Sequence, residues 1–248
     1  MNSEPHCLPV EWPAPARVRA AFTSRKGGRS RGPWASLNLA SHVGDEPAAV
    51  AANRAALTAH LGLAEEPCWL EQIHSDIVLQ LDNPAAGRRG DAAITSTPQR
   101  VATVMVADCL PVLLCDDQGH QVAAVHAGWR GLAAQLLAKT IAAFNAPPAA
   151  LIAWLGPAIG PAAYQVGEDL YTRFMAADPR HSEAFTRLDH QWHLDLTGLA
   201  ELQLQAAGVQ RVTRSGMCVH DNAQKFFSYR RDGETGRMAA LIWIDNNA

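Results

Sequence analysis

Short apolar, β-branched runs alternate along this chain with alanine-rich stretches of helical period, and glycine- and proline-bearing segments separate them. The run at 18–23 (VRAAFT) reads as a first strand, and the polar, proline-rich residues 1–16 before it as a loose N-terminal segment. After an irregular loop at 26–33 (KGGRSRGP), residues 46–61 predict a helix. Asp45 can cap it, Pro47 suits its first turn, Val50, Leu57 and Leu61 share one face, and Gly62 follows at the C-cap. Strand-like material surrounds His74 in 69–81 (WLEQIHSDIVLQL), and a turn-rich stretch (DNPAAGRRGD) separates it from a strand at 92–95. Buried strands follow at 101–107, 112–115 and 121–126, the last two joined by the turn signal Asp117-Gln118-Gly119. The remainder predicts helices at 131–144, 168–177 and 199–207, and strands at 151–155, 209–214 and 238–244.

Strands and helices mix here without a regular βαβ period, an internal repeat or a linker. The pattern predicts a mixed α+β fold, a layered sandwich of mixed sheets and helices forming one catalytic domain over 17–248. With 248 residues, 48% of them hydrophobic, the chain can bury a sizeable core. A formal net charge of −3 gives no reason to expect nucleic acid or an anionic membrane as a partner. Five irregularly spaced cysteines argue against a disulfide framework. The N-terminal residues lack the apolar core of a signal peptide, and no apolar run approaches the roughly 20 residues that span a bilayer. A reducing cytoplasm is the simplest placement, for a monomer or weak homodimer.

Folding 110–126 as a hairpin about Gln118 places His126 beside Leu110, and so next to Cys109. A thiolate and an imidazole at one end of a hairpin suit zinc, and His74 in EQIHS is the best third ligand. Cys109 also reads as a nucleophile with a histidine base. Asp108, just before it, is a candidate ligand-orienting or acid/base residue, or a turn cap. The segment Ala127-Gly128-Trp129-Arg130-Gly131 joins a strand to a helix start. There, free backbone N–H groups, Gly128 and the fork of Arg130 suit an anion such as phosphate, although a salt bridge would explain Arg130 as well. Asn38, His42, Arg54 and Gln72 can face a substrate or satisfy turn backbone. In the arginine-rich segment 226–237, Arg230, Arg231 and Arg237 read as a solvated loop or, second to that, as a phosphate contact from a neighbouring segment, and His190 and His193 as surface residues.

At these residues the sequence resembles the YfiH-like family, known also as multicopper polyphenol oxidase or laccase-domain proteins, peptidoglycan editing factors and purine nucleoside phosphorylases. ADCLPV and VHAGWRGL match its signature blocks. EQIHS, FTSRKGG, SLNLASHVGD, GDAAIT, LGPAIG and FFSYRRDGETGR match others in order, so the likeness spans nearly the whole chain. It implies a fold related to toxin deamidases of the cysteine-hydrolase type, and one zinc held by His74, Cys109 and His126. It further implies phosphorolysis of adenosine, inosine, guanosine and methylthioadenosine, with adenosine deamination besides. One departure is Cys218-Val219, where the family often has Cys-Thr. The competing expectation is a cysteine-type amidase editing peptidoglycan precursors. A copper polyphenol oxidase stands lower: thiolate and imidazole can hold copper, but the chain has no His-x-His pair.

Overall fold

The computed structural model describes residues 4–83 and 85–246. Parts of three expected segments, at 1–3, 84 and 247–248, lie outside the described residues. The strands in chain order are β1 (Cys7–Leu8), β2 (Val18–Thr23), β3 (Val78–Gln80), β4 (Ala92–Thr95), β5 (Ala102–Val106), β6 (Leu110–Asp116) and β7 (Val122–Ala127). They continue as β8 (Leu151–Leu155), β9 (Gln165–Val166), β10 (Phe185–Leu188), β11 (Gln191–Leu194), β12 (Arg211–Arg214) and β13 (Met238–Ile244). The helices are α1 (Pro47–His60), α2 (Trp129–Ala133), α3 (Leu136–Ala142), α4 (Glu168–Ala177), α5 (Leu196–Ala206) and the single turn α6 (Tyr229–Asp232).

Two sheets carry the fold. An antiparallel sheet runs β1-β2-β13-β5, and a mixed six-stranded sheet runs β12-β8-β6-β7-β4-β3. In the second, β6, β7 and β4 pair antiparallel, while β12–β8 and β4–β3 pair parallel. Side-chain alternation explains the layering. On β6, Leu110, Val112 and Leu114 join a cluster with Leu132, Leu136, Phe174 and Leu199 of the helices, whereas Leu113 and Cys115 face the other sheet. On β13, Ala240 and Ile242 face the six-stranded sheet, whereas Ala239, Leu241 and Trp243 pack with Leu57 of α1. The layers are therefore α1, four-stranded sheet, six-stranded sheet, and helices α2 to α5. This is the mixed α+β sandwich that the sequence predicts. No helix among the described residues is long and apolar enough to cross a membrane.

Several expectations are corrected. Part of the segment expected to be loose is ordered: Cys7 and Leu8 pair with Thr23 and Phe22, extending the sheet. Glu46, not Asp45, occupies the N-cap of α1, and Asp45 instead accepts hydrogen bonds from Glu46 N–H and the Asn38 amide. The helix expected over 131–144 is broken at Gln135, whose φ of 61° is left-handed; no glycine or proline marks the break. His74 lies in irregular backbone before β3 rather than on a strand. Residues 185–194, unassigned from the sequence, form a hairpin whose turn residues Asp189 and His190 both have positive φ, the geometry usually met with Asn-Gly. His193 sits on that hairpin and bonds the Pro161 carbonyl, 2.8 Å away. The segment 226–237 is a solvated loop only in its middle, at 229–234, because Phe226, Phe227 and Ser228 at one end and Thr235 and Gly236 at the other are buried.

Leu113 is fully buried between the two sheets. Replacing it by alanine should destabilise the fold by about 2–5 kcal/mol, read as a lower urea midpoint at unchanged m-value.

Candidate metal centre

The strands β4, β6 and β7 end together at one edge of the inter-sheet space, and alternation decides what meets there. The β6–β7 register pairs Pro111 with His126, not Leu110 with His126 as the Gln118-centred hairpin implies. The turn centres half a residue later, where Gly119 takes φ 69°. The shift helps rather than harms. Position 109 has the parity of Pro111, so Cys109 falls diagonally beside His126 on the same face. On the other flank Ala92 pairs with Val125, and His126 N–H donates to the Asp91 carbonyl at 2.7 Å, which puts Asp91 directly opposite His126.

Asp91, fully buried, organises the site. Its carboxylate accepts from Nδ1–H of His126 at 2.9 Å, leaving Nε2 of that ring facing the cluster. It also accepts from the backbone N–H groups of Ile73 (3.2 Å), His74 (3.0 Å) and Ser75 (2.6 Å), and from Ser75 Oγ (2.7 Å). The 73–75 loop thus wraps the anion, with His74 at φ 58°, and its ring lies 4.8 Å from that of His126, edge to face. His74 Nε2 stands 4.0 Å from Cys109 Sγ. The ligand atoms of His74, Cys109 and His126 all lie within 4.8 Å of one another.

Burial pushes the Cys109 thiol up, but the His126 charge and hydrogen bonds from His126 and His74 outweigh it and bring the thiol down to about 6. Burial likewise lowers His126, yet the adjacent thiolate and the Asp91 carboxylate raise it to about 9. Burial also opposes ionisation of Asp91, but bonds from His126 and Ser75 hold it down at about 2. Without metal the pair is therefore a thiolate and an imidazolium. The donor set fits a metal. Zinc takes thiolate at about 2.3 Å and imidazole at about 2.0–2.1 Å, so its donors sit roughly 3.4–3.6 Å apart, a small contraction from the present spacing. Gly128 makes the closeness possible, since a Cβ there would come 3.0 Å from Cys109 Sγ and 3.4 Å from His74 Cδ2.

The cluster opens into a cavity of about 650 Å³. Of the substrate residues predicted from sequence, Arg130, Gln72 and His42 line it. The Gln72 amide is bound to both N–H and C=O of Met105, so it frames the wall. Asn38 and Arg54 do not reach the cavity. Asn38 is buried and spent on Ala40, Asp45 and the N–H of Arg237; Arg54 donates to the Leu39 carbonyl and lies over Trp69. Asp108 lines the cavity, but its oxygens accept from Ser228 Oγ and from the N–H of Arg230, both at 2.6 Å. At φ 99° in the turn between β5 and β6, it ties α6 to that turn through these bonds. Gly128 serves the ligand cluster, and α2 after it is only five residues long. Arg230 and Arg237 also line the cavity, in keeping with the second reading of their segment, and Tyr164 and Tyr229 line it too and were missed. The signal available for the arginines was Phe226-Phe227, an apolar pair that folds the segment back onto the core. For Asp91 it was an acid directly preceding a buried strand.

Two outcomes follow from this geometry. Asp91→Asn should weaken zinc affinity by about 10–100-fold, measured by chelator competition. In the wild type, zinc must displace the His126 proton, which is held below about pH 9. Affinity should therefore climb roughly tenfold per pH unit between about 6 and about 9 and flatten above, by the same competition assay.

A family model described as multi-copper polyphenol oxidoreductase laccase matches residues 19–245. An Escherichia coli (strain K12) protein named purine nucleoside phosphorylase YfiH is 46% identical over 235 residues, covering 94% of this chain and 97% of its own length. A Pseudomonas aeruginosa relative, also named a purine nucleoside phosphorylase, is 44% identical over 241 residues, or 96% of this chain and 98% of that one. The crystal structure of a Neisseria meningitidis protein assigned to DUF152 is 45% identical, with a TM-score of 0.92 over 97% of this chain and 99% of that one. Matched along almost its entire length by the family model and by these relatives, the chain belongs to the YfiH-like, laccase-domain family.

Proposed function

We propose that this chain is a zinc-dependent purine nucleoside phosphorylase that takes adenosine, inosine, guanosine and methylthioadenosine, with His74, Cys109 and His126 holding the metal. The observation that carries the reading is the ligand cluster opening into a cavity walled by three arginines from two distant segments, Arg130, Arg230 and Arg237. A nucleoside is uncharged, so arginines in such number call for an anionic co-substrate. The names of the Escherichia coli and Pseudomonas aeruginosa relatives support the same reading.

In phosphorolysis an oxygen of hydrogen phosphate bonds to the ribose C1′ as the C1′–N9 bond breaks. The bond pair leaves on the purine, and the proton given up by phosphate balances it. The arginine wall holds the phosphate, and Trp129, Tyr164, Tyr229 and Ile159 offer apolar and aromatic surface to base and ribose. Zinc, when bound, supplies a Lewis acid with one coordination place left free by three protein ligands. Adenosine deamination at the same site would use water and need no phosphate. The chain's free cysteines fit a reducing cytoplasm.

A second reading has its own observation. Asp91, His126 and Cys109 stand in the order of an orienting acid, a base and a nucleophile, with the thiol already lowered to about 6. That arrangement suits a metal-free amidase editing peptidoglycan precursors. Copper oxidation is disfavoured, because among the described residues one three-ligand cluster occurs and several copper sites would need more.

Metal analysis combined with product detection from adenosine decides among these. Phosphorolysis predicts stoichiometric zinc, with adenine and ribose phosphate formed only when phosphate is present. Cys109→Ala should lose both metal and products. Full activity in metal-stripped protein, or inosine alone as product whatever the phosphate concentration, would overturn the phosphorylase assignment.

A further inference from the structure

The three cavity arginines are not equivalent. Arg130 is exposed and lies 4.4 Å from the Trp129 ring. Arg230 is exposed too, with Nη1 shared between the carbonyls of Ala163 (3.3 Å) and Gln165 (3.2 Å). Arg237 is half-buried and fixed at its base. Its Nη1 donates to the carbonyls of Thr235 (2.8 Å) and Gly236 (3.0 Å), and its N–H donates to Asn38 Oδ1 at 2.9 Å. Gly236 leaves no room for a side chain, since a Cβ there would lie 2.7 Å from the Phe227 ring and 2.9 Å from Asn38 Cβ.

Nε and Nη2 of Arg237 meet no hydrogen-bond acceptor among the described residues, and the guanidinium lies over the Tyr229 ring, 5.8 Å from its centroid. No carboxylate stands within ion-pairing distance of it there. Burial disfavours the Arg237 cation, and the negative charges of Asp108 and Cys109 in the same cavity offset this without a direct ion pair. The neighbouring Arg231, also half-buried, shows the satisfied alternative, with Nη2 2.7 Å from Asp232 and three backbone carbonyls taken up by its other donors. Asp108 is the acid nearest in the cavity lining, and both its oxygens are spent on Ser228 and the N–H of Arg230. His42 faces the same cavity and is kept neutral by burial, then by the charges of Arg237 and Arg54.

We propose that Arg237 is the phosphate-anchoring residue of the site, gripping the anion through Nε and Nη2 as a two-pronged fork. The proposal rests on the phosphorolysis reading for its choice of anion. A fork of two parallel N–H groups matches two phosphate oxygens, and a lysine could not reproduce it. Asn38, which never touches the cavity, acts through the backbone of Arg237 by holding it at the start of β13.

The test is calorimetric titration of the zinc-loaded protein with inorganic phosphate, followed by steady-state kinetics. Arg237→Ala should weaken phosphate binding about tenfold or more, with Arg237→Lys between it and wild type. The KM for phosphate should rise in parallel, while the KM for adenosine and the zinc content stay near wild type. Arg130→Ala should have the smaller effect on phosphate. Should the alanine variant fail to fold, Arg237→Gln keeps a donor for the two carbonyls while removing the charge. Phosphate affinity unchanged in a zinc-retaining Arg237 variant, or no phosphate binding by wild type, overturns the proposal. Binding that depends on Arg237 without phosphate-dependent cleavage upholds the anion site and sinks the phosphorylase reading. Cleavage that needs phosphate but ignores Arg237 does the reverse.

Discussion

A carboxylate with no exposure to solvent holds the functional end of this protein together. Asp91 is buried where a charge is tolerable only if every direction around it is answered by a donor. Three consecutive backbone N–H groups, a serine hydroxyl and the His126 ring supply those donors. One anion thereby sets two of the three candidate metal ligands. It selects the tautomer of His126, and it bends the 73–75 loop so that His74, at positive φ, turns toward Cys109. The third ligand comes from the turn between sheets, where Gly128 leaves room for the sulfur.

Around this centre, polar residues act mainly by holding backbone. Gln72 clamps Met105, Asp108 ties α6 to the turn between β5 and β6, and Asn38 fixes the N–H of Arg237. Each is a side chain satisfying backbone groups in irregular segments, where no ladder or helix would do so. The consequence is a rigid wall from which the arginines project. Arg230 and Arg237 line the cavity and are each anchored by one nitrogen to carbonyls. A chain with net charge −3 thus presents a locally cationic chamber beside the His-Cys-His cluster.

Much of the architecture was readable before any coordinates. Strands at 18–23, 92–95, 151–155 and 238–244 and the helix at 168–177 appear with the expected limits, because each is a strongly patterned segment bounded by turn residues. Failures fell where local pattern is weak. The Cys7–Leu8 strand is too short to show a period, and the 185–194 hairpin turns on Asp-His instead of a glycine pair. The break at Gln135 interrupts an alanine- and leucine-rich run that has every local reason to continue.

Taken alone, the sequence determined the layered α+β class, the pairing of the strands that carry Cys109 and His126, and the chemical types that converge there. It could do so because a hairpin is local: its turn brings residues close in sequence close in space. Only the tertiary structure decided that Asp91 binds both histidines, that Asn38 and Arg54 stay outside the cavity, and that Arg230 and Arg237 enter it. Those contacts join segments up to 199 residues apart, as between Asn38 and Arg237. No local periodicity encodes them, because they arise from how two sheets stack and where a buried charge finds its donors.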